Sequence, residues 1–207
     1  MLMERQRVTQ DEFRAYIEQP ENADKWFELM DGVIHEVIMP KPIHAKVIMP
    51  KPIHAIVALI VAGILRTFVI PRKLGQVVGD GCLFYLPNGD TVIPDAAYVS
   101  HEREPGIPDE YHIAPDIAVE VISPSNKPRQ VNEKIESYLA SGTRQVWVLY
   151  PEQRVLVLYP EQRVLDVWTP GAEGTANKRK YTAADTLTGG DVLTDFSVAV
   201  SELFPTE

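Results

Sequence analysis

The stretch that decides the fold is VIPDAAYV (92–99) with PDIAVEVISPS (115–125), followed by NEKIESYLASG (132–142) and VWVL (146–149). Two short apolar runs each carry one carboxylate, and a patterned helix follows. Gly106-Ile107-Pro108 lies midway between the runs and reads as the turn region of a hairpin. Antiparallel pairing about that midpoint puts Asp95 opposite Glu120, Ala97 opposite Ala118 and Val99 opposite Asp116. Directly opposed residues stand about 5 Å apart on one face. Asp95 and Glu120 therefore converge, and two adjacent carboxylates repel unless a cation or a shared proton relieves them. A hard divalent ion such as Mg²⁺, with Mn²⁺ as its substitute, suits such a pair, because Mg²⁺ is commonly held by one or two carboxylates and retained waters.

Asp116 also follows a proline, but it precedes Glu120 by four residues, roughly 13 Å along an extended strand. It cannot share an ion with Glu120 and reads as a turn or strand-start residue. The pattern predicts a helix over 132–140 with Asn132 as its cap, Lys134 in its first turn and Gly142 as its stop. Lys134 is thereby brought near the end of the Glu120 strand, where an ammonium can face a nucleophilic water or developing phosphate charge. Tyr138 lies one turn further on the same face.

These pieces, with FELMDG (27–32), IHA (53–55) and LTGGDVL (187–193), resemble the Uma-two type restriction-endonuclease-like proteins of the PD-(D/E)XK nuclease superfamily. The resemblance runs from about Phe27 to Phe204. It implies an α/β (α+β) fold in which a central mixed sheet is flanked by helices. It implies that Asp95 is the PD aspartate, that Glu120 is the (D/E)XK acid and that Val121 joins both as a metal ligand. The lysine expected two residues after Glu120 is Ile122 here, so the resemblance moves that role to Lys134. Glu28, from FEL, completes the catalytic set, and the bland alternative for it is a surface glutamate beside a turn. His54, Ser123 and Tyr138 are the substrate contacts implied; a cap or surface histidine is the alternative for His54. The activity implied is Mg²⁺-dependent endonucleolytic cleavage of nucleic acid, with DNA as the expected substrate. A catalytically inert nuclease-fold module for binding or assembly is the alternative. A two-carboxylate sugar hydrolase ranks third, because no aromatic sugar platform is evident near these strands.

Composition agrees with one globular domain over 1–207: 45% hydrophobic and 24% charged residues. A net charge of −9 argues against a broad nucleic-acid-binding surface, though not against a local basic groove. Lys178-Arg179-Lys180 is the only basic run, either a solvated edge or a phosphate contact. The single cysteine, Cys82, excludes an internal disulfide framework and a cysteine-based zinc site, and points to the cytoplasm. No apolar signal core follows Met1, and the most apolar run, Ile56–Leu65, is ten residues long, so no membrane partner is expected.

Around that centre, Thr9 to Glu12 forms a capping box for a short helix, and Trp26 to Val37 is a hairpin turning at Asp31-Gly32. Ile53 to Ile70 is a helix apolar on almost every face, expected to be buried against the sheet or in a homodimer interface. Two tandem copies interrupt the pattern. VIMPKPIHAK (37–46) is followed by VIMPKPIHAI (47–56), and VLYPEQRVL (148–156) recurs at 157–165. They are too short and isolated for a solenoid; the extra copy of the second is expected to loop out of a single hairpin.

Overall fold

The structure is a computed structural model that describes residues 7–37, 52–123, 126–151 and 163–205. His44 and most of both duplicated segments lie outside the described residues. Helix α1 (Gln10–Ile17) starts at Thr9 with both halves of the capping box formed, and its Phe13 packs on Phe27, Leu29 and Tyr85. Strands β1 (Trp26–Met30) and β2 (Val33–Val37) pair antiparallel. Asp31 and Gly32 turn the hairpin with φ of 48° and 72°, the left-handed pair that a two-residue turn requires.

Helix α2 (Pro52–Val69) leads to β3 (Gly75–Gly79), the small hairpin β4 (Phe84–Tyr85) and β5 (Thr91–Val92), then β6 (Ala96–Ser100) and β7 (Ile117–Val121). Helix α3 (Pro128–Ala140) carries the chain to β8 (Gln145–Tyr150), after which come β9 (Val164–Pro170), β10 (Ala176–Tyr181), β11 (Thr186–Gly189) and β12 (Leu193–Ala199). The central six-stranded sheet has the order β10-β9-β8-β7-β6-β3. Only β7 and β8 run parallel in it, and α3 is their crossover. This is the expected mixed sheet with helices on its faces.

Period-two alternation sorts the side chains into two cores. Ala96, Tyr98, Val119 and Trp147 meet Val57, Val61 and Leu65 of α2, while Ala97, Ala118, Val146 and Val148 meet Ile135 and Tyr138 of α3. The register of β6 on β7 pairs Ala97 with Ala118, as expected from the midpoint. A four-stranded sheet, β2-β1-β5-β4, lies beside this core.

One expectation needs correction. Helix α3 begins four residues before the predicted Asn132: Lys127 is the N-cap and Pro128 the first helical residue. Proline is preorganised there, and its missing N–H is one the first turn cannot use. Lys134 therefore sits in the second turn. The other end is as read, with Gly142 at φ 95° and a Schellman pair, Gly142 N–H to the Leu139 carbonyl and Thr143 N–H to that of Tyr138. Helix α2, expected to be buried against the sheet or in a homodimer interface, packs an inner stripe on the sheet core and leaves its outer face exposed. Leu59 is 74% and Ile56 44% exposed. At 18 residues and mean hydropathy 2.0, α2 is also long and apolar enough, by length and composition, to cross a bilayer, unlike the ten-residue run from which its reach was judged.

Candidate active site

The register that pairs Ala97 with Ala118 continues outward to bring Asp95 and Glu120 to one end of the sheet. Asp95 lies just before β6, where its N–H donates to the Val119 carbonyl at 3.0 Å. Its Oδ2 accepts the Val121 N–H at 2.6 Å, which fixes the carboxylate against the β7 backbone. Glu120 is 9% exposed. Its Oε1 takes the Lys134 ammonium at 2.7 Å and the Tyr138 hydroxyl at 2.9 Å. Lys134 and Tyr138 are four apart on α3, so one helix face grips one carboxylate oxygen.

Glu28 is not a surface glutamate. From β1 it reaches Lys134 Nζ at 2.9 Å and accepts the Ile93 N–H at 2.8 Å. Lys134 Nζ also donates to the Ile93 carbonyl at 3.2 Å, so its three protons have three acceptors. His54 enters from the first turn of α2, with Nε2 3.4 Å from Asp95 Oδ2 and a hydrogen bond to the Val121 backbone. It is a site residue, not a bare cap. Four of the predicted residues, Glu28, Asp95, Glu120 and Lys134, thus meet together with His54.

The electrostatics follow from burial and crowding. Burial, with Asp95 and Glu28 nearby, outweighs Lys134 and pushes the Glu120 carboxyl up to about 7. Burial opposes the Lys134 charge, but Glu120 and Glu28 more than offset it and hold its pKa above the ordinary lysine range. The two directions agree: the lysine keeps its proton, and the glutamate takes one near neutrality. Burial against an ionised Glu120 raises the Tyr138 hydroxyl well above its usual value. The hydrogen bond to Asp95 raises His54.

Ser123 and Tyr138, the other two expected contacts, are both engaged within the chain. Tyr138 is fully buried behind Glu120. The Ser123 N–H and hydroxyl both donate to Asn126 Oδ1, at 2.6 and 2.8 Å, closing the turn before α3. Asp80 escaped the sequence reading. It feels the charges of Asp95, His54 and Lys134, and its pKa is raised first by burial and then by Asp95. No spacing in the sequence announces it; its place follows from the Gly79–Ala96 pairing of β3 with β6.

The other acid behaves as a structural residue. Asp116 is 1% exposed, accepts the Ser100 N–H at 2.8 Å and pairs with Arg103 at 3.0 Å. It starts β7 as expected, but as a buried ion pair. The basic run lies on the edge strand β10, where Lys178 pairs with Asp166 at 2.6 Å and Arg179 stacks over Tyr181. Among the described residues, no three His, Cys, Asp or Glu side chains cluster closely enough to hold a metal by themselves.

A mixed sheet with helices on both faces, an acid pair at one end and a lysine reaching in from α3 is a nuclease-like arrangement. The chain matches the family Uma2, described as "Putative restriction endonuclease", over residues 11–201, and it belongs to that family. Among solved structures, a "putative nuclease belonging to DUF820" from Anabaena variabilis ATCC 29413 shares the fold with a TM-score of 0.71. The two are 20% identical, and the match covers 95% of this chain and 97% of that one. No curated protein matches the chain.

Proposed function

We propose that this chain is a divalent-metal-dependent endonuclease that hydrolyses phosphodiester bonds in nucleic acid, with DNA as its substrate. The observation that carries the reading is the charge imbalance at the sheet end. Four carboxylates, Glu28, Asp80, Asp95 and Glu120, gather around Lys134 and His54, so the acids outnumber the bases even with the imidazole charged. A dication offsets that surplus. The donor chemistry fits an oxygen-seeking ion. Asp95 Oδ1 and Glu120 Oε2 take no part in the contacts that fix their partner oxygens, and Val121, next to Glu120 in sequence, is already bound through its N–H to Asp95 Oδ2. A pair of carboxylates suits Mg²⁺ or Mn²⁺, which retain water and complete their shell on substrate phosphate.

Asp95, Glu120 and Val121 would hold the ion, which would supply an activated water and charge for the leaving oxygen. The chain's own residues do the rest. The Val121 N–H fixes the Asp95 carboxylate, and Tyr138 with Lys134 fixes that of Glu120. Glu28 holds the ammonium from the other side. The longest and only neutral contact of Lys134, to the Ile93 carbonyl, is the one it can exchange for a phosphate oxygen or the attacking water.

One observation favours the inert module instead: the ammonium is already fully satisfied within the chain. A cleavage assay separates the two readings. Wild type should cut plasmid or linear DNA with Mg²⁺ or Mn²⁺ and not with chelator, and Asp95→Asn should be nearly inactive. The same ions should raise the melting temperature of wild type and not of Asp95→Asn, since a ligand of the native state stabilises it by mass action. Ion-dependent stabilisation without cleavage of DNA or RNA would favour the inert module. No stabilisation at all would remove the metal site.

A further inference from the structure

The exposed face of α2 has no role in the site and is unlike the rest of the surface. Its outward residues are Pro52, Ala55, Ile56, Leu59, Gly63, Arg66, Thr67 and Ile70, the last just past the helix end. In a chain of net charge −9, this face carries no acid and one base. We infer that α2 packs antiparallel on the α2 of a second copy about a two-fold axis passing beside Val61.

The outward positions are symmetric about residue 61, so such an axis sets 59 against 63, 56 against 66 and 55 against 67. The chemistry of each pair is complementary. Leu59, 74% exposed, meets Gly63, where an added Cβ would find nothing within 4 Å; a knob stands opposite a hole, twice. Ile56 meets the alkyl stem of Arg66, so the single base of each helix avoids its own copy. Ala55 meets Thr67. An isologous contact must satisfy residue i on j and j on i together, and this stripe does so without a like-charge clash. Beside it, Ile64, Phe68, Phe196 and Val198 line a shallow groove that continues the contact surface, with Arg72 and Glu202, one charge of each sign, also on its lining. An acid-free stripe on an otherwise acidic chain is where two copies approach with the least repulsion.

The test is the solution mass of the full chain by light scattering across a concentration series. Wild type should run at twice 23.2 kDa. Leu59→Glu places an acid opposite its own hole, and Gly63→Leu fills the hole; both should run as monomers, at least 100-fold weaker in association. Gly63→Leu keeps the experiment clean, because its Cβ meets nothing within 4 Å inside the chain and it replaces the poorest helix former after proline. Its unfolding midpoint at low protein concentration should equal or exceed that of wild type. A Leu59→Cys/Gly63→Cys pair in a Cys82→Ser background should cross-link between copies under oxidation. A monomeric wild type, or Leu59→Glu and Gly63→Leu variants as dimeric as wild type, would overturn the inference. So would monomeric wild type binding to phosphatidylglycerol vesicles, which would assign the stripe to a lipid surface. None of these readouts depends on catalysis.

Discussion

Replacing Lys134 by methionine tests the core of the site without any assumption about substrate. The side chains of Lys134, Glu120 and Glu28 are only 16%, 11% and 13% exposed. Methionine fills similar volume but leaves two buried carboxylates facing each other. Breaking a buried pair by removing one partner costs about 3–5 kcal/mol, so Lys134→Met should lose that much stability at pH 8. Protonation of Glu120 can relieve it. Its carboxyl already sits at about 7, with the lysine opposing that rise, so without the lysine it rises further. A carboxyl whose folded pKa exceeds its unfolded value binds a proton that the unfolded chain does not. Stability therefore grows as pH falls from the folded pKa towards the unfolded value of 4.5. The slope is at most about 1.4 kcal/mol per pH unit. The deficit of Lys134→Met should shrink between pH 8 and 5.5 and should be smaller in the double variant Lys134→Met/Glu120→Gln, in which Glu28 no longer faces a second carboxylate at position 120. Urea unfolding of wild type and the two variants at several pH values measures this. A deficit under 1 kcal/mol at pH 8, or one that neither acid nor the second substitution reduces, would refute the buried-charge account.

Tyr138→Phe removes the hydroxyl from Glu120 Oε1 and should cost about 1 kcal/mol in the same unfolding assay, with the helix otherwise unchanged. Asp116→Asn leaves Arg103 without its charged partner; it should lower stability by about 1–3 kcal/mol while metal-dependent stabilisation persists, whereas Asp95→Asn should abolish that stabilisation. Deleting nine residues from the second duplication should keep the fold. Tyr150 pairs with Val164, and removing nine of the 13 residues between them leaves Pro-Glu-Gln-Arg, a four-residue hairpin loop. Closing the shorter loop should add about 1 kcal/mol of stability, and loss of cooperative unfolding would place the extra copy in the core.

The strand pairing was legible because local pattern and turn position agree: the 92–99 and 115–125 runs could converge on their acids in one register only, and Ala97 does face Ala118. Glu28 was legible only through resemblance, since nothing in WFELM says that its alternate positions face another sheet's acids. Asp80 was not legible at all; a lone aspartate between two glycines acquires its neighbours from the β3–β6 pairing, a long-range contact. The start of α3 was misplaced because Asn132 offered a familiar cap, whereas Lys127 caps without a side-chain bond and Pro128 sets the first turn. The cover of the outer face of α2 was left between two alternatives for a different reason. Apolar content reports that a surface seeks cover, but not whether the cover comes from the same chain.

The position of Lys134 on α3, with Ile122 two residues after Glu120, has a structural consequence. At Ile122, two residues after Glu120, the side chain packs against the α3-side core, a place where a lysine would need its own acceptors. From the second turn of α3, Lys134 instead approaches Glu120 and Glu28 together, and Tyr138 follows one turn later on the same face. Glu120 is thereby fixed by two groups whose spacing is set by the helix, while β1 contributes the counter-carboxylate. The site is divided among β1, β6, β7, α2 and α3, and α3 is the element common to the lysine, the tyrosine and Ser137. Ser137 donates at 2.6 Å to the buried Asp90, which also accepts the Asp31 N–H at 2.7 Å from the β1–β2 turn. Helix α3 is thus tied on one side to the hairpin that carries Glu28 and on the other to the strand that carries Glu120. A strand lysine could move with its own acid alone; this one is held in register with both.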